Sequence, residues 1–256
     1  MSSLDDLAEV LPESLRRLWP LAAQCAEQTD GVLMGGTAVA IHLQHRVSED
    51  LDVMTLRAFS GKSIERHLRE AAESVETIEV ASNMFHGVVD GVKIDVFRAL
   101  ASNDVDPSQM RWIQQGEEIN GMRVGSIPDL MATKLDAILR RAKMRDYIDI
   151  AALDQTGACR LETGLTFYCQ RYGYGHPPHV LGQIIRLLES PGTLPSDPGF
   201  GQMCDEALQH LAARVPEVQD HLADMRDRAA NEIESAALKR ARDAGAEPGR
   251  QSDGGD

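Results

Sequence analysis

Gly31-Val32-Leu33-Met34-Gly35-Gly36-Thr37, followed by Ser48-Glu49-Asp50-Leu51-Asp52-Val53, is the stretch that decides the fold. An apolar strand runs into a small-residue turn, a helix continues from Ala38 to Leu43, and a second strand over 50–55 alternates acidic with aliphatic residues. Strand residues two apart share a face, so Asp50 and Asp52 point one way while Leu51 and Val53 point toward a core. Two carboxylates this close repel when both are ionised, and without a partner one of them has its pKa raised. Magnesium is a natural partner, since it takes hard oxygen ligands and keeps phosphate oxygens in its shell. The competing reading is a solvated edge strand that happens to carry two acids.

The turn points the same way. Glycine lets a backbone approach a phosphate closely, and the first N–H groups of a helix attract anions. Gly35 and Gly36 supply the first property, and Thr37 adds a hydroxyl donor or a helix cap. An ordinary strand-to-helix turn is the plainer alternative. Further along, Val92-Lys93-Ile94-Asp95-Val96-Phe97 follows an Asp90-Gly91 hairpin signal. Asp95 can then lie beside Asp50 and Asp52. A carboxylate in an apolar strand is costly unless satisfied. A metal satisfies it, and Asp95 is also a candidate general base toward an attacking hydroxyl. Pairing with Lys93 or Arg98 is the alternative, disfavoured because those neighbours are read as facing away or lying at the strand end.

Periodicity outlines the rest. A helix is expected over about 4–28, another of about ten residues after Ser60-Gly61, strands over 76–81, 84–89 and 92–97, and a short one near 122–125. From Ile127 onward helices are expected at about 127–143, 145–154, 161–171, 177–189, 200–213 and 216–241. The expected organisation is a mixed α/β unit over 1–126, a helical unit over 127–243 and a disordered tail over 244–256.

Composition narrows the class. At 43% hydrophobic over 256 residues there is material for a sizeable core, and 4% aromatic content makes that core aliphatic. No apolar run reaches the ~20 residues of a membrane span, and no secretory signal is visible. The four cysteines, Cys25, Cys159, Cys169 and Cys204, show no paired spacing, so a cytoplasmic location with reduced thiols is expected. A net charge of −14 argues against a general nucleic-acid binder, though a local basic patch can still hold RNA.

In the helical half, Met131, Leu135, Ile138 and Ala142 form an apolar stripe with Lys134 and Arg141 together at one edge. That edge suits a phosphate contact at a seam, and a lysine snorkelling to solvent is the alternative. Asp136 and Arg140 read as a structural i,i+4 pair. Asp146 and Asp149, at a helix start, read on spacing alone as a cap or dipole partner. The pairs His42/His45 and His176/His179 lack metal-ligand company and receive no role. Tyr168, Tyr172 and Tyr174 beside Arg171 read as packing rather than base stacking.

The ordered set Gly35-Gly36-Thr37-Ala38, His45-Arg46-x-Ser48-x-Asp50-Leu51-Asp52, Lys93-Ile94-Asp95, Lys134-Leu135-Asp136-Ala137 and Arg141-x-Lys143-x-Arg145-Asp146-Tyr147-x-Asp149 resembles the AbiEii-type (MenT-like) nucleotidyltransferase toxins of the polymerase-β-type superfamily. The resemblance spans about residues 30–155. It implies an α/β (α+β) fold, a polymerase-β-like mixed sheet with flanking helices followed by an all-helical C-terminal domain. It implies transfer of NMP from an NTP with Mg2+, a tRNA 3′ end as acceptor, and a cognate antitoxin as partner. By the same resemblance Gly36 and Thr37 would hold the triphosphate, Asp50 and Asp52 would bind metal, and Lys134 would contact the phosphates. Asp146 would be catalytically important. The candidate site is therefore Asp50, Asp52, Asp95, Lys134 and Asp146, with Gly35, Gly36, Thr37, Ser48, Lys134 and Arg141 on the nucleotide. Two other readings stand beside it: a small-molecule acceptor of the aminoglycoside type, suited to the acidic surface, and a non-catalytic protein that keeps only the fold.

Overall fold

The computed structural model of the chain describes residues 4–99, 110–141, 143–172, 178–192 and 200–245. The strands β1 (Val32–Met34), β2 (Asp50–Thr55), β3 (Val75–Ala81), β4 (Met84–Val89), β5 (Val92–Arg98), β6 (Glu117–Ile119) and β7 (Met122–Val124) form one mixed sheet in the order β3-β4-β5-β2-β1-β7-β6. At its centre β2 runs parallel to β5 and antiparallel to β1. The helices are α1 (Glu13–Thr29), α2 (Gly35–Leu43), α3 (Gly61–Ala71), α4 (Ile127–Arg140), α5 (Met144–Gln155), α6 (Leu161–Tyr172), α7 (Pro178–Glu189) and α8 (Gly201–Gly245).

The alternation read from β2 is the alternation observed. Leu51 and Val53 are fully buried, whereas Asp50 and Asp52 lie partly exposed on the opposite face. The β4–β5 turn places Asp90 and Gly91 at φ 47° and 80°, the left-handed pair that a two-residue hairpin requires. Asn120 and Gly121, at φ 45° and 81°, make a second such hairpin and with it β6, a strand the periodicity reading missed because Glu117-Glu118-Ile119 offers a single apolar residue.

Two expected boundaries are corrected. The helix expected over 4–28 is a short 3-10 turn at Leu4–Leu7 and then α1, which starts after Pro12. A proline biases the residue before it away from helical geometry, so the run breaks there. Conversely, the two helices expected on either side of Pro216 are the single helix α8. Leu211, Val215, Val218 and Leu222 are all buried along one face, and that packing carries the helix through the hydrogen bond the proline cannot make. The expected tail beyond 245, Ala142, Tyr174 and His176, and the side chain of His179, lie outside the described residues.

Buried apolar residues from α1, the sheet and α4–α8 form one connected cluster. Trp19 of α1 is fully buried, and its indole N–H donates to the Ile119 carbonyl oxygen at 3.1 Å. The four cysteines are free and buried, and burial pushes the Cys25 thiol up to about 12. Tyr168 and Tyr172 are buried and pack with their rings tilted and centroids 5.0 Å apart. Arg171 is wholly buried, pairs with Asp129 and lies 4.4 Å from the centroid of the Trp112 ring. Among the described residues no helix is long and apolar enough to cross a membrane.

Candidate active site

The parallel register of β2 and β5 sets Asp52 directly beside Asp95 and Asp50 beside Lys93. Burial raises the Asp52 pKa above its usual value, and the charge of Asp95 raises it further. Asp95 is itself held from two sides. His86, its register partner on β4, hydrogen-bonds one carboxylate oxygen, and the Lys93 ammonium lies 3.2 Å from the other. This corrects the expectation that Lys93 faces away, because residues 93 and 95 are two apart on one strand and share a face. His86 was missed in the sequence, since only the hairpin register brings it to Asp95.

The glycine turn is demanded by close approach of side chains already in the protein. Gly35 sits at φ +69°, and a Cβ there would meet an Asp52 carboxylate oxygen at 2.0 Å. A Cβ on Gly36 would meet an Arg46 guanidinium nitrogen at 2.1 Å. Thr37 neither caps α2, whose N-cap is Met34, nor offers a free hydroxyl. It is buried, donates to the Asp50 carbonyl oxygen and hydrogen-bonds the Ser48 hydroxyl at 2.8 Å, tying the start of α2 to β2.

Lys134 does not snorkel. It is 4% exposed, with its ammonium 2.9 Å from Asp146 and 2.6 Å from Asp149. Burial works to lower its pKa, but the two carboxylates outweigh burial and the net shift is upward. Asp146 and Asp149 are likewise not caps, since the N-cap of α5 is Lys143 with no side-chain cap bond. Asp146 also pairs with Arg141 at 3.3 Å. Asp149 is fully buried and gathers two cationic side chains and an imidazole. Arg46 donates Nε and Nη2 to its two oxygens at 2.8 and 3.1 Å, His45 Nε2 lies 2.9 Å away, and Lys134 completes the set. Burial alone would raise the Asp149 pKa, yet Lys134, His45 and Arg46 together hold it far below the usual carboxylate range. Spacing gives His45 and Arg46 no role and reads Asp149 only as a cap or dipole partner, because the loop before β2 and the first turns of α5 are about a hundred residues apart.

Two cavities meet at these residues. One is lined by Gly36, Arg46, Ser48 and Asp50, by Asp52, and by the cations Lys93, Lys134, Arg141, Lys143 and Arg145. The other is lined by Asp52 and Asp95, by the apolar Met34, Met54, Phe97 and Ala137, and by Asp136, Arg140, Arg141 and Tyr172. Asp50 belongs to the first only and Asp95 to the second only, while Asp52, Lys134 and Arg141 border both. The Asp136–Arg140 pair expected to be merely structural is therefore also part of a cavity wall.

Among the described residues no group of three or more His, Cys, Asp or Glu side chains is already gathered as a metal-holding cluster. The Asp52–Asp95 pair nonetheless fits a divalent cation. It offers hard oxygen donors from adjacent strands, and Asp52 holds its proton more tightly than usual for want of a positive neighbour strong enough to offset burial and Asp95.

The family model for the nucleotidyl transferase AbiEii toxin of type IV toxin–antitoxin systems matches residues 21–244. No curated protein matches the chain. Among solved structures it is similar to the solution structure of the antibiotic-resistance factor ANT(2″)-Ia, with a TM-score of 0.40 and 15% identity over 65% of this chain and 96% of that one. With the family match spanning most of the chain, from within α1 to the last residues of α8, this protein belongs to the AbiEii nucleotidyltransferase toxin family and is a nucleotidyltransferase.

Proposed function

We propose that the protein transfers an NMP group from an NTP to the 3′-terminal hydroxyl of a tRNA, with Mg2+, as the toxin of a toxin–antitoxin pair. The observation that carries this reading is the position of Asp52 at the junction of a cation-lined cavity and an acid-bordered, partly apolar one. Arg46, Lys93, Lys134, Arg141, Lys143 and Arg145 supply the charge for a triphosphate, and the N-terminus of α2 at Gly36 adds backbone donors. Asp50, Asp52 and Asp95 would hold magnesium together with phosphate oxygens. When bound, the cation would offset charge developing on the α-phosphate and lower the pKa of the attacking hydroxyl.

The acceptor oxygen forms a bond to the α-phosphorus as the bond to the bridging oxygen of the β-phosphate breaks. Asp95 accepts the hydroxyl proton, and pyrophosphate leaves in the cationic cavity. Lys134 and Arg141, bordering both cavities, steady the phosphate that moves between them. Asp146 orients both cations by pairing with each. Thr37 and Ser48 act indirectly by fixing the backbone at Asp50. On this reading residues 1–126 carry the carboxylates of the transfer chemistry, and residues 127–243 add Lys134, Arg141 and Asp146 and close the site.

The net charge of −14 favours a second reading, a small cationic acceptor. Three guanidinium groups, Arg98, Arg140 and Arg141, border the second cavity and oppose it. The deciding experiment incubates the protein with Mg2+, each α-³²P-labelled NTP and total tRNA. Labelled tRNA that disappears with Asp52→Asn supports the proposal. Unlabelled RNA, with pyrophosphate released when aminoglycosides are offered, refutes it in favour of the second reading.

A further inference from the structure

The wall of the cation-lined cavity has an aromatic side chain behind it. The guanidinium carbons of Arg46 and Arg145 each lie 5.8 Å from the centroid of the Phe200 ring. Among the described residues that line the cavity, both arginines are present and Phe200 is not. The three come from separate parts of the chain: the loop before β2, the first turn of α5 and the residue just ahead of α8. Phe200 is partly buried and packs against the core.

The two arginines differ in how firmly they are placed. The Arg46 side chain is 3% exposed and gripped by Asp149 through two nitrogens. The Arg145 side chain is 48% exposed, and its Nη1 lies 3.8 Å from Asp50, too far for a hydrogen bond. A half-exposed side chain of this length loses rotamer freedom when it meets a phosphate, and that loss subtracts from affinity. An aromatic face within about 6 Å attracts a guanidinium and stacks on its plane, so part of the ordering is done before the ligand arrives. The ring is itself anchored. His210 Nε2 lies 2.7 Å and Arg214 Nε 2.9 Å from the buried Asp154 of α5, and Arg214 Nη2 lies 2.6 Å from Glu162 of α6. This ion cluster ties α8 to α5 and α6 about 15 Å along the helix from Phe200, at 1.5 Å per residue.

Resting on the triphosphate site proposed above, we infer that Phe200 is a positioning residue for the nucleotide: its ring holds the Arg145 and Arg46 guanidiniums ready for the triphosphate, so that the helical half sets affinity for the phosphates. Its contribution is independent of the base, because it acts through guanidinium groups and these recognise phosphate by charge and paired N–H donors. The negative face of the ring also offsets the repulsion between two cations gathered at one cavity. Arg145 depends on the ring more than Arg46 does, since Asp149 already fixes Arg46.

The test is calorimetric titration with Mg2+ and inorganic tripolyphosphate, then with Mg2+ and each of the four NTPs. Phe200→Leu should weaken tripolyphosphate and all four NTPs alike, by about fivefold or more. Phe200→Tyr, which keeps the ring, should stay within about twofold of the unaltered protein. A ring-trifluorinated phenylalanine incorporated at position 200 keeps the shape but drains electron density from the ring face, so it should weaken tripolyphosphate too, where a purely structural ring would leave affinity unchanged. Arg145→Gln should weaken tripolyphosphate, and adding Phe200→Leu to it should cost less than the same change in the unaltered protein. Thermal melts establish that the variants fold. Unchanged tripolyphosphate affinity in both ring-altered proteins would overturn the inference, as would effects of Phe200→Leu and Arg145→Gln that simply multiply. So would loss of NTP affinity with tripolyphosphate affinity intact, because the ring would then contact the nucleoside. If the unaltered protein binds NTP while Arg145→Gln and Lys143→Gln both leave tripolyphosphate affinity unchanged, the triphosphate lies elsewhere, and the site proposed above falls together with this inference.

Discussion

Asp149→Asn should loosen the two halves of the site from each other. The carboxylate is fully buried and receives Arg46 through two nitrogens, His45 and Lys134, at 2.6 to 3.1 Å. Replacing it with an amide keeps shape and one acceptor oxygen but leaves buried cations short of a negative charge. Breaking a buried pair from one side costs about 3–5 kcal/mol, and the retained oxygen puts this variant near the lower figure, about 3 kcal/mol. For a chain of this length that corresponds to a fall in Tm of roughly 6–12 °C. Arg46 would also lose its anchor against Gly36, so NTP affinity should fall by about tenfold or more.

The pH dependence follows from the depressed pKa. Asp149 contributes its full stabilisation above the unfolded-chain value of about 4, and loses it as pH falls below that value toward the still lower folded-state pKa. The gap between the unaltered protein and Asp149→Asn should therefore be widest at neutral pH and close progressively below about pH 4. Urea unfolding at a series of pH values, with nucleotide titration at neutral pH, measures both quantities. A variant within about 0.5 kcal/mol of the unaltered protein at pH 7, with unchanged nucleotide affinity, would show that Asp149 does not hold the site together.

Asp52→Asn should abolish transfer while the metal-free protein melts no lower than the unaltered chain, since the substitution removes a charge that burial and Asp95 both disfavour; residual turnover in a radiolabel assay would count against the cation assignment. Lys134→Ala should lose both NTP use and about 3 kcal/mol of stability, because its ammonium sits between Asp146 and Asp149 and not in solvent. Unchanged melting in that variant would mean the buried cluster is not a stabilising unit. Gly35→Ala should impair folding or activity through both its +69° φ and its collision with Asp52, and near-normal kinetics with normal melting would contradict that geometry.

The sequence by itself determined the alternation of β2, the hairpin at Asp90-Gly91, the helical character from Ile127 onward and the candidate residues Asp50, Asp52, Asp95 and Lys134. These follow from near-neighbour physics, because side-chain period and turn conformation are properties of a few consecutive residues. The ordered motifs also carried the family, which the match over residues 21–244 bears out. Only the tertiary structure decided which groups surround those residues. His86 reaches Asp95 through strand register, and the Arg46–Asp149 pair spans 103 positions of chain. Burial turned Lys134 from an edge lysine into the centre of an ion cluster, and turned Thr37 from a phosphate donor into a tie between α2 and β2. A charge-pair partner is chosen by distance in space, and in a mixed sheet with a helical half folded against it, distance in space is set by strand order and packing that no local pattern encodes.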